Sequence, residues 1–449
     1  MGSTALAILG FVTIIAIIVL LLRNITVPSI AFIGVTTITA LILILTGTFS
    51  LDDMGGFVSK GVSDVAGTAT LFIFSVLFFG IMGDAGIFDV IVDKLMGKVG
   101  DSVVGVAILT CIIATIAHLD GSGAATFLIV VPAMMPIYKK MHMRPTTMLL
   151  ITVTAMGVMN LMPWGGPTLR AASILNMDAN KLWKEIMPMQ AVGIVIAFVT
   201  AIIWGCIEKK RGAGINATGK ALEVRYNDIE DSAGSEEEKR ILARPRLFIF
   251  NVVLVLVTIF CLIKFTQFES YYIFMIACVI ALTVNYPGAR MAKKIIKAHA
   301  PAGLDMAATI LGAGVFLGVL EESGIMENMA NLMTSCIPSG MGRFLPLIVG
   351  ITAVPLALCF STDSYFYGLL PVLITIGNKF GVDPVATAVS MVVCRNCATF
   401  ISPVVPATFM GTGLAGVEIK DHIRNTFFWV WGVSLICLIS GILFGVIRF

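Results

Sequence analysis

Asn160-Leu-Met-Pro163-Trp164-Gly165-Gly166-Pro167-Thr168-Leu-Arg170 interrupts an apolar run that is otherwise long enough to cross a bilayer. In the second half of the chain, Arg395-Asn396-Cys-Ala-Thr399-Phe-Ile-Ser402-Pro403-Val-Val-Pro406-Ala-Thr408 does the same. Proline removes an amide donor and its ring clashes with the preceding turn, so no unbroken helix passes through Pro163 and Pro167. Unwound backbone at membrane depth is tolerated only where it lines a protein cavity or a water-filled site. Matched interruptions in two halves of a membrane chain point to the binding site of a transporter.

The surroundings support a membrane reading. Of 449 residues, 58% are apolar and 13% charged, with a mean hydropathy of +0.98. An average globular chain is about one quarter charged. Long apolar runs of roughly 18 to 22 residues match a hydrocarbon core about 30 Å thick, so the bilayer is the first partner. The net charge of +3 says nothing of nucleic acid, which is not an expected partner, because the basic residues are scattered through loops and not gathered on a face. The stretch from Glu208 to Arg246 gathers 17 charged residues and reads as a solvated linker. Ala5 to Leu22 is read as a retained first span and not as a removable signal. The 9 cysteines include Cys111, Cys261, Cys278 and Cys437 inside apolar runs, where they act as small hydrophobes. Cys394-x-x-Cys397 lacks the second pair or neighbouring His of a metal site.

Ten spans are expected, at 5–22, 29–47, 70–90, 146–164, 187–207, 247–264, 271–287, 304–322, 385–401 and 427–447. Two stretches, 103–138 and 345–377, have arms too short to cross comfortably and polar tips, His118-Leu-Asp120-Gly-Ser122-Gly123 and Ser361-Thr362-Asp363-Ser364. They read as re-entrant hairpins.

The halves repeat. Phe-Phe-Gly-Ile-Met-Gly-Asp84-Ala-Gly-Ile matches Phe-Leu-Gly-Val-Leu-Glu-Glu322-Ser-Gly-Ile at an offset of 238 residues. At an offset of 239, Ser122 pairs with Ser361, Pro132 with Pro371, Pro145 with Pro384 and Pro167 with Pro406. The chain therefore divides into a first repeat at 1–207 (broken helix 146–172), a linker at 208–246 and a second repeat at 247–449 (broken helix 385–412). Five full spans per repeat invert the second relative to the first. Arg23, Lys94, Lys98, Lys139, Lys140, Arg144, Arg290, Lys293, Lys294, Lys297, Lys420 and Arg424 fall on the linker's side, which the positive-inside rule makes cytoplasmic. Both chain ends are then outside, and the hairpins enter from opposite faces.

These features favour an anionic cargo. A short helix begins beyond each tip, at about Ala124 and Ser364, and directs free amides and a partial positive charge to mid-membrane. Arg170 suits a carboxylate, or alternatively snorkels outward from a helix end. Arg395 opens the second break. Asp120 and Asp363 stand at the tips, where a carboxylate is costly unless it meets a cation, takes up a proton or caps the next helix. His118 is a candidate proton carrier or a carbonyl-bonded buried imidazole. Asp84, Glu321 and Glu322 read as membrane-edge residues.

His118-Leu-Asp-Gly-Ser-Gly-Ala-Ala-Thr126-Phe followed by Gly157-Val-Met-Asn160-Leu-Met-Pro-Trp164-Gly-Gly-Pro167-Thr-Leu-Arg170 resembles the citrate–metal:proton symporter family of the ion transporter superfamily. The resemblance runs along essentially the whole chain and implies an all-α, inverted-repeat elevator fold. It also implies uptake of citrate as a complex with Mg²⁺ or Ca²⁺, H⁺ as coupling ion, and a homodimer in a bacterial inner membrane. Related dicarboxylate carriers show Ser-Asn-Thr at both tips; here Ser122-Gly123-Ala124 and Ser361-Thr362-Asp363 lack both amides, which puts that route of Na⁺ coupling in doubt.

On this reading Asp120 and Asp363 are hard oxygen ligands for the travelling metal. Ser122, Gly123, Asn160, Gly165, Gly166, Pro167, Thr168, Arg170, Ser361, Thr362, Ser364, Arg395, Asn396 and Ser402 surround the anion. Proton coupling runs through Asp120 or His118. The alternatives are a Na⁺-coupled organic-acid carrier on the same fold and, less well supported, a membrane enzyme or channel. No His-Glu-x-x-His signature is present in the sequence.

Overall fold

The computed structural model describes residues 1–23, 25–87, 90, 102–224, 241–265, 267–334 and 339–448, and every regular element among them is helical. The first half comprises α1 (Ser3–Leu22), α2 (Pro28–Leu45), α3 (Leu51–Asp84), α4 (Val103–Ala117), α5 (Gly123–Lys140), α6 (Pro145–Met159), α7 (Gly166–Ile174) and α8 (Ala179–Lys210). The second comprises α9 (Phe248–Lys264), α10 (Ser270–Asn285), α11 (Ala289–Glu322), α12 (Ile325–Thr334), α13 (Leu345–Ala357), α14 (Leu370–Lys379), α15 (Pro384–Asn396), α16 (Pro406–Leu414) and α17 (Ile419–Leu443). Proline at a first helical turn opens α2, α6, α7, α13, α14, α15 and α16, where its missing amide has no partner to lose.

Nine stretches of the described residues are long and apolar enough to cross a membrane. Eight fall on expected spans; the ninth, Val103–Asp120, is the first hairpin arm with its tip turn. Of the other expected spans, 146–164 stops at Met159 and 271–287 is a helix of 16 residues. Residues 88–89 of the third expected span, Lys94, Lys98 and linker residues 225–240 lie outside the described residues.

The third span is much longer than its apolar core suggested. Ser50 starts α3 with reciprocal bonds, the Asp53 amide donating to Ser50 Oγ at 3.1 Å and the Ser50 amide to Asp53 Oδ2 at 2.9 Å. The helix then runs through the polar, glycine-rich stretch 51–69 that hydropathy leaves out. α3 and α11 each have 34 residues and end at Asp84 and Glu322, the acids aligned by the repeat.

These two helices form the longest packed seam and run antiparallel along it. His299, near the start of α11, donates from or accepts at Nε2 with Asp84 Oδ2 at the end of α3, 2.8 Å away. Lys60, near the start of α3, pairs with Glu322 at the end of α11. Between these ends, Gly61 meets the backbone of Gly314 and Gly318, and the His299 ring covers Gly80. Small residues let helix backbones approach closely where lipid offers no hydrophobic drive.

At the other end of the first half, Glu208 at the close of α8 is wholly buried. Its Oε1 accepts from Arg144 Nε and Thr147 Oγ1, each at 2.6 Å, and its Oε2 from Arg211 Nη1 at 2.6 Å. This clamp fixes the entrance of α6 against α8.

Candidate functional site

The first hairpin turns at His118–Asp120, a single 3-10 turn, and at Gly121, whose φ of 72° is the left-handed conformation that glycine adopts without strain. Asp120 does not cap α5. Its Oδ1 accepts the Ser122 amide at 2.8 Å, and Ser122 is the cap, its Oγ accepting the Ala125 amide at 3.2 Å. At the second tip Ser361 Oγ accepts the Ser364 amide, also at 3.2 Å. The helix there resumes at Thr362 and widens to a π-helix over Ser364–Leu369 before α14.

The two proline-rich breaks lie beside these tips. α6 stops at Met159, and Trp164 in the loop donates from Nε1 to the carbonyl of Leu119 at 2.7 Å. Gly165 packs against the Asn160 carbonyl with no room for a side chain, and Thr168 Oγ1 donates to Leu161 O at 3.1 Å. In the second break Ser402 Oγ donates to the carbonyl of Ala357 at the end of α13. The breaks are joined by Asn160 Nδ2 donating to Asn396 Oδ1 at 3.1 Å and by Asn396 Nδ2 donating to Asn160 O at 3.3 Å. Thr399 Oγ1 donates to the same Asn396 Oδ1 at 3.0 Å.

A cavity of about 540 Å³ opens among these elements. Volumes of roughly 300–1,000 Å³ are usual for small-ligand sites. Its wall includes Asp120, Ser122, Gly123, Asn160, Gly166, Pro167, Arg170 and Thr362 from the sequence-derived set. His118, Gly165, Thr168, Ser361, Asp363, Ser364, Arg395, Asn396 and Ser402 are not part of the wall. His118 is fully buried, with Nδ1 held 2.7 Å from Thr126 Oγ1. Trp164 and Thr399, from the two broken stretches, also line the cavity, with Asp84, His299 and Met306; sequence reasoning set Asp84 at the membrane edge and did not single out His299 or Met306. The match of the acids Asp84 and Glu322 across the repeat is a usable signal; His299, close to Lys293, Lys294 and Lys297, gives none.

Arg170 does not snorkel outward. Its Nε donates to Asp363 Oδ1 at 2.8 Å, with the two side chains 6% and 15% exposed. The pair ties α7 to the second tip. Arg395 is fully buried and makes no ion pair among the described residues. It donates to Thr399 Oγ1 at 3.1 Å and to the Phe360 carbonyl at 3.4 Å, and lies 5.6 Å from the centre of the Tyr365 ring. Its Nε and the Tyr365 hydroxyl have no hydrogen-bond partner among the described residues. No group of three His, Cys, Asp or Glu converges among the described residues. Cys394 and Cys397 are buried free thiols; Cys394 donates to the Ser434 carbonyl at 3.7 Å and Cys397 to that of Val393 at 3.5 Å.

The chain is 33% identical over 444 residues to a citrate transporter of Bacillus subtilis, covering 99% of this chain and 100% of that protein. It is 35% identical over 441 residues to a Mg²⁺/citrate complex secondary transporter of the same organism, covering 97% of each. Among solved structures, the YdaH transporter of Alcanivorax borkumensis superposes with a TM-score of 0.59 at 14% identity, over 88% of this chain and 90% of that one, which bears on fold alone. The citrate transporter family profile matches residues 1–394, and the chain belongs to that family of multi-pass membrane transporters.

Proposed function

We propose that this protein is a secondary transporter that imports citrate as a divalent-metal complex, with Mg²⁺ or Ca²⁺ as the travelling cation and H⁺ as the coupling ion, across a bacterial cytoplasmic membrane. The observation that carries the reading is the cavity wall itself: the cationic Arg170, the carboxylate of Asp120 and the N-terminus of α5 at Ser122 and Gly123 border one space. Free amides at a helix start suit a carboxylate. Mg²⁺ keeps several waters and takes only one or two protein carboxylates, so a cation arriving with citrate needs no preformed cage. A relative described as a Mg²⁺/citrate complex transporter supports the same cargo.

In this reading Asp120 receives the proton, since it borders the cavity while His118 is fully buried and not part of the wall. Arg395 with its orphaned Nε supports the second break and offers a further cation toward the anion. The repeats at 1–207 and 247–449, joined by a cytoplasmic linker at 208–246, carry one hairpin each; the antiparallel seam of α3 and α11 supports their inversion. Elevator motion and a homodimer complete the proposal.

Labelled citrate uptake into proteoliposomes tests it, with Mg²⁺, Ca²⁺ or a chelator under an imposed proton or Na⁺ gradient. Uptake that needs both a divalent cation and a proton gradient is the expected result. Metal-independent uptake driven by Na⁺ would overturn it in favour of an ordinary carboxylate carrier.

A further inference from the structure

We infer that the Arg170–Asp363 ion pair is a lock that only a cation and a carboxylate arriving together can open. The inference rests on the metal–citrate reading above and adds why this protein should require the complex. The pair joins residues 193 positions apart, one on α7 beyond the first break and one at the tip of the second hairpin. Both side chains are largely buried, and Arg170 reaches the cavity. The guanidinium uses Nε on Asp363, while Nη2 has only the thioether sulfur of Met306 at 3.6 Å, a weak acceptor. A planar fork built for two carboxylate oxygens is therefore held by one.

Consider each part of the cargo alone. A citrate anion that takes Arg170 leaves the Asp363 carboxylate unpaired beside added negative charge. A divalent cation that takes Asp363 leaves the guanidinium facing a dication. Removing one partner of a buried pair is strongly unfavourable because the other charge stays uncompensated. A metal–citrate complex supplies both replacements, a carboxylate for Arg170 and a cation for Asp363. A ligand shifts a conformational equilibrium only through its differential affinity for the two states, and the complex alone favours the open state on both sides. The matched tip has no such device: Asp120 accepts the Ser122 amide instead.

Purified wild type and variants, checked for monodispersity, are titrated with labelled citrate in Mg²⁺ and again in EDTA. Asp363→Asn frees the fork, and this variant should bind citrate in EDTA roughly tenfold or more tightly than wild type does, losing most of the Mg²⁺ enhancement. Arg170→Gln frees the carboxylate, and Mn²⁺ followed by electron paramagnetic resonance without citrate should bind roughly tenfold more tightly than to wild type. Asp363→Glu keeps both charges and should keep the metal requirement. If one neutralised variant fails to fold, the other still decides. An Asp363→Asn protein with the wild-type Mg²⁺ requirement, or an Arg170→Gln protein with no gain for Mn²⁺, overturns the lock. Wild type that binds no citrate with Mg²⁺ overturns the cargo reading instead, so the two failures are distinct.

Discussion

Asn160 and Asn396 hold each other across 236 residues of chain, each side-chain amide donating to an oxygen of the other residue. Each residue ends the first half of a broken helix, so the pair sets the register of one break against the other. Asn396 Oδ1 accepts from both Asn160 and Thr399. Asn396→Ala leaves both donors buried without that acceptor, a loss of about 1–3 kcal/mol. A lower melting temperature and weaker citrate uptake by the same variant would agree; unchanged melting would show that the breaks are positioned by something else.

Asp120→Asn tests the proposed role of the first tip's carboxylate in taking up the proton and facing the metal. The asparagine oxygen can still accept the Ser122 amide now bound by Asp120 Oδ1 at 2.8 Å, so the tip turn should survive. The variant should lose the metal-dependent citrate accumulation that a proton gradient drives. Full gradient-driven accumulation would remove Asp120 from the proton path.

Ser122 and Ser361 cap their helices at the same 3.2 Å and the same three-residue spacing. Alanine at either position should cost about 1 kcal/mol, as for other N-caps. Thermal melts of the two single variants should shift by similar amounts. A shift at one tip only would show that the matched caps differ in weight.

Glu208→Ala removes the acceptor shared by Arg144, Thr147 and Arg211. With Glu208 wholly buried and the two arginines partly exposed, the loss should approach but not exceed the ~3–5 kcal/mol of a fully buried pair. Denaturation in detergent should show it, and uptake by the surviving folded protein should keep its KM, because the clamp lies away from the cavity.

Much of this architecture is legible in the residues. Pro163, Pro167, Pro403 and Pro406 announce the breaks because proline acts locally, and polar tips between short apolar arms announce the hairpins, although the caps fall to Ser122 and Ser361 and not to Asp120 and Asp363. What escapes is everything decided by partners distant in sequence. Nothing local says that Arg170 meets Asp363 and not a ligand, or that Asp84 meets His299; several buried charges could pair in several ways. The 34-residue length of α3 escapes for another reason. Its first turns are held by the Ser50 cap and by packing on α11, neither of which hydropathy measures.

The closed Arg170–Asp363 pair carries no net charge. Any leg of a transport cycle made with that pair intact moves none of its charge through the membrane's electric field. A lone guanidinium carried through the whole of a 100 mV potential would instead gain or lose about 2.3 kcal/mol. For these two residues any step made with the pair intact is therefore indifferent to voltage, and the potential acts through whatever charge the cargo brings.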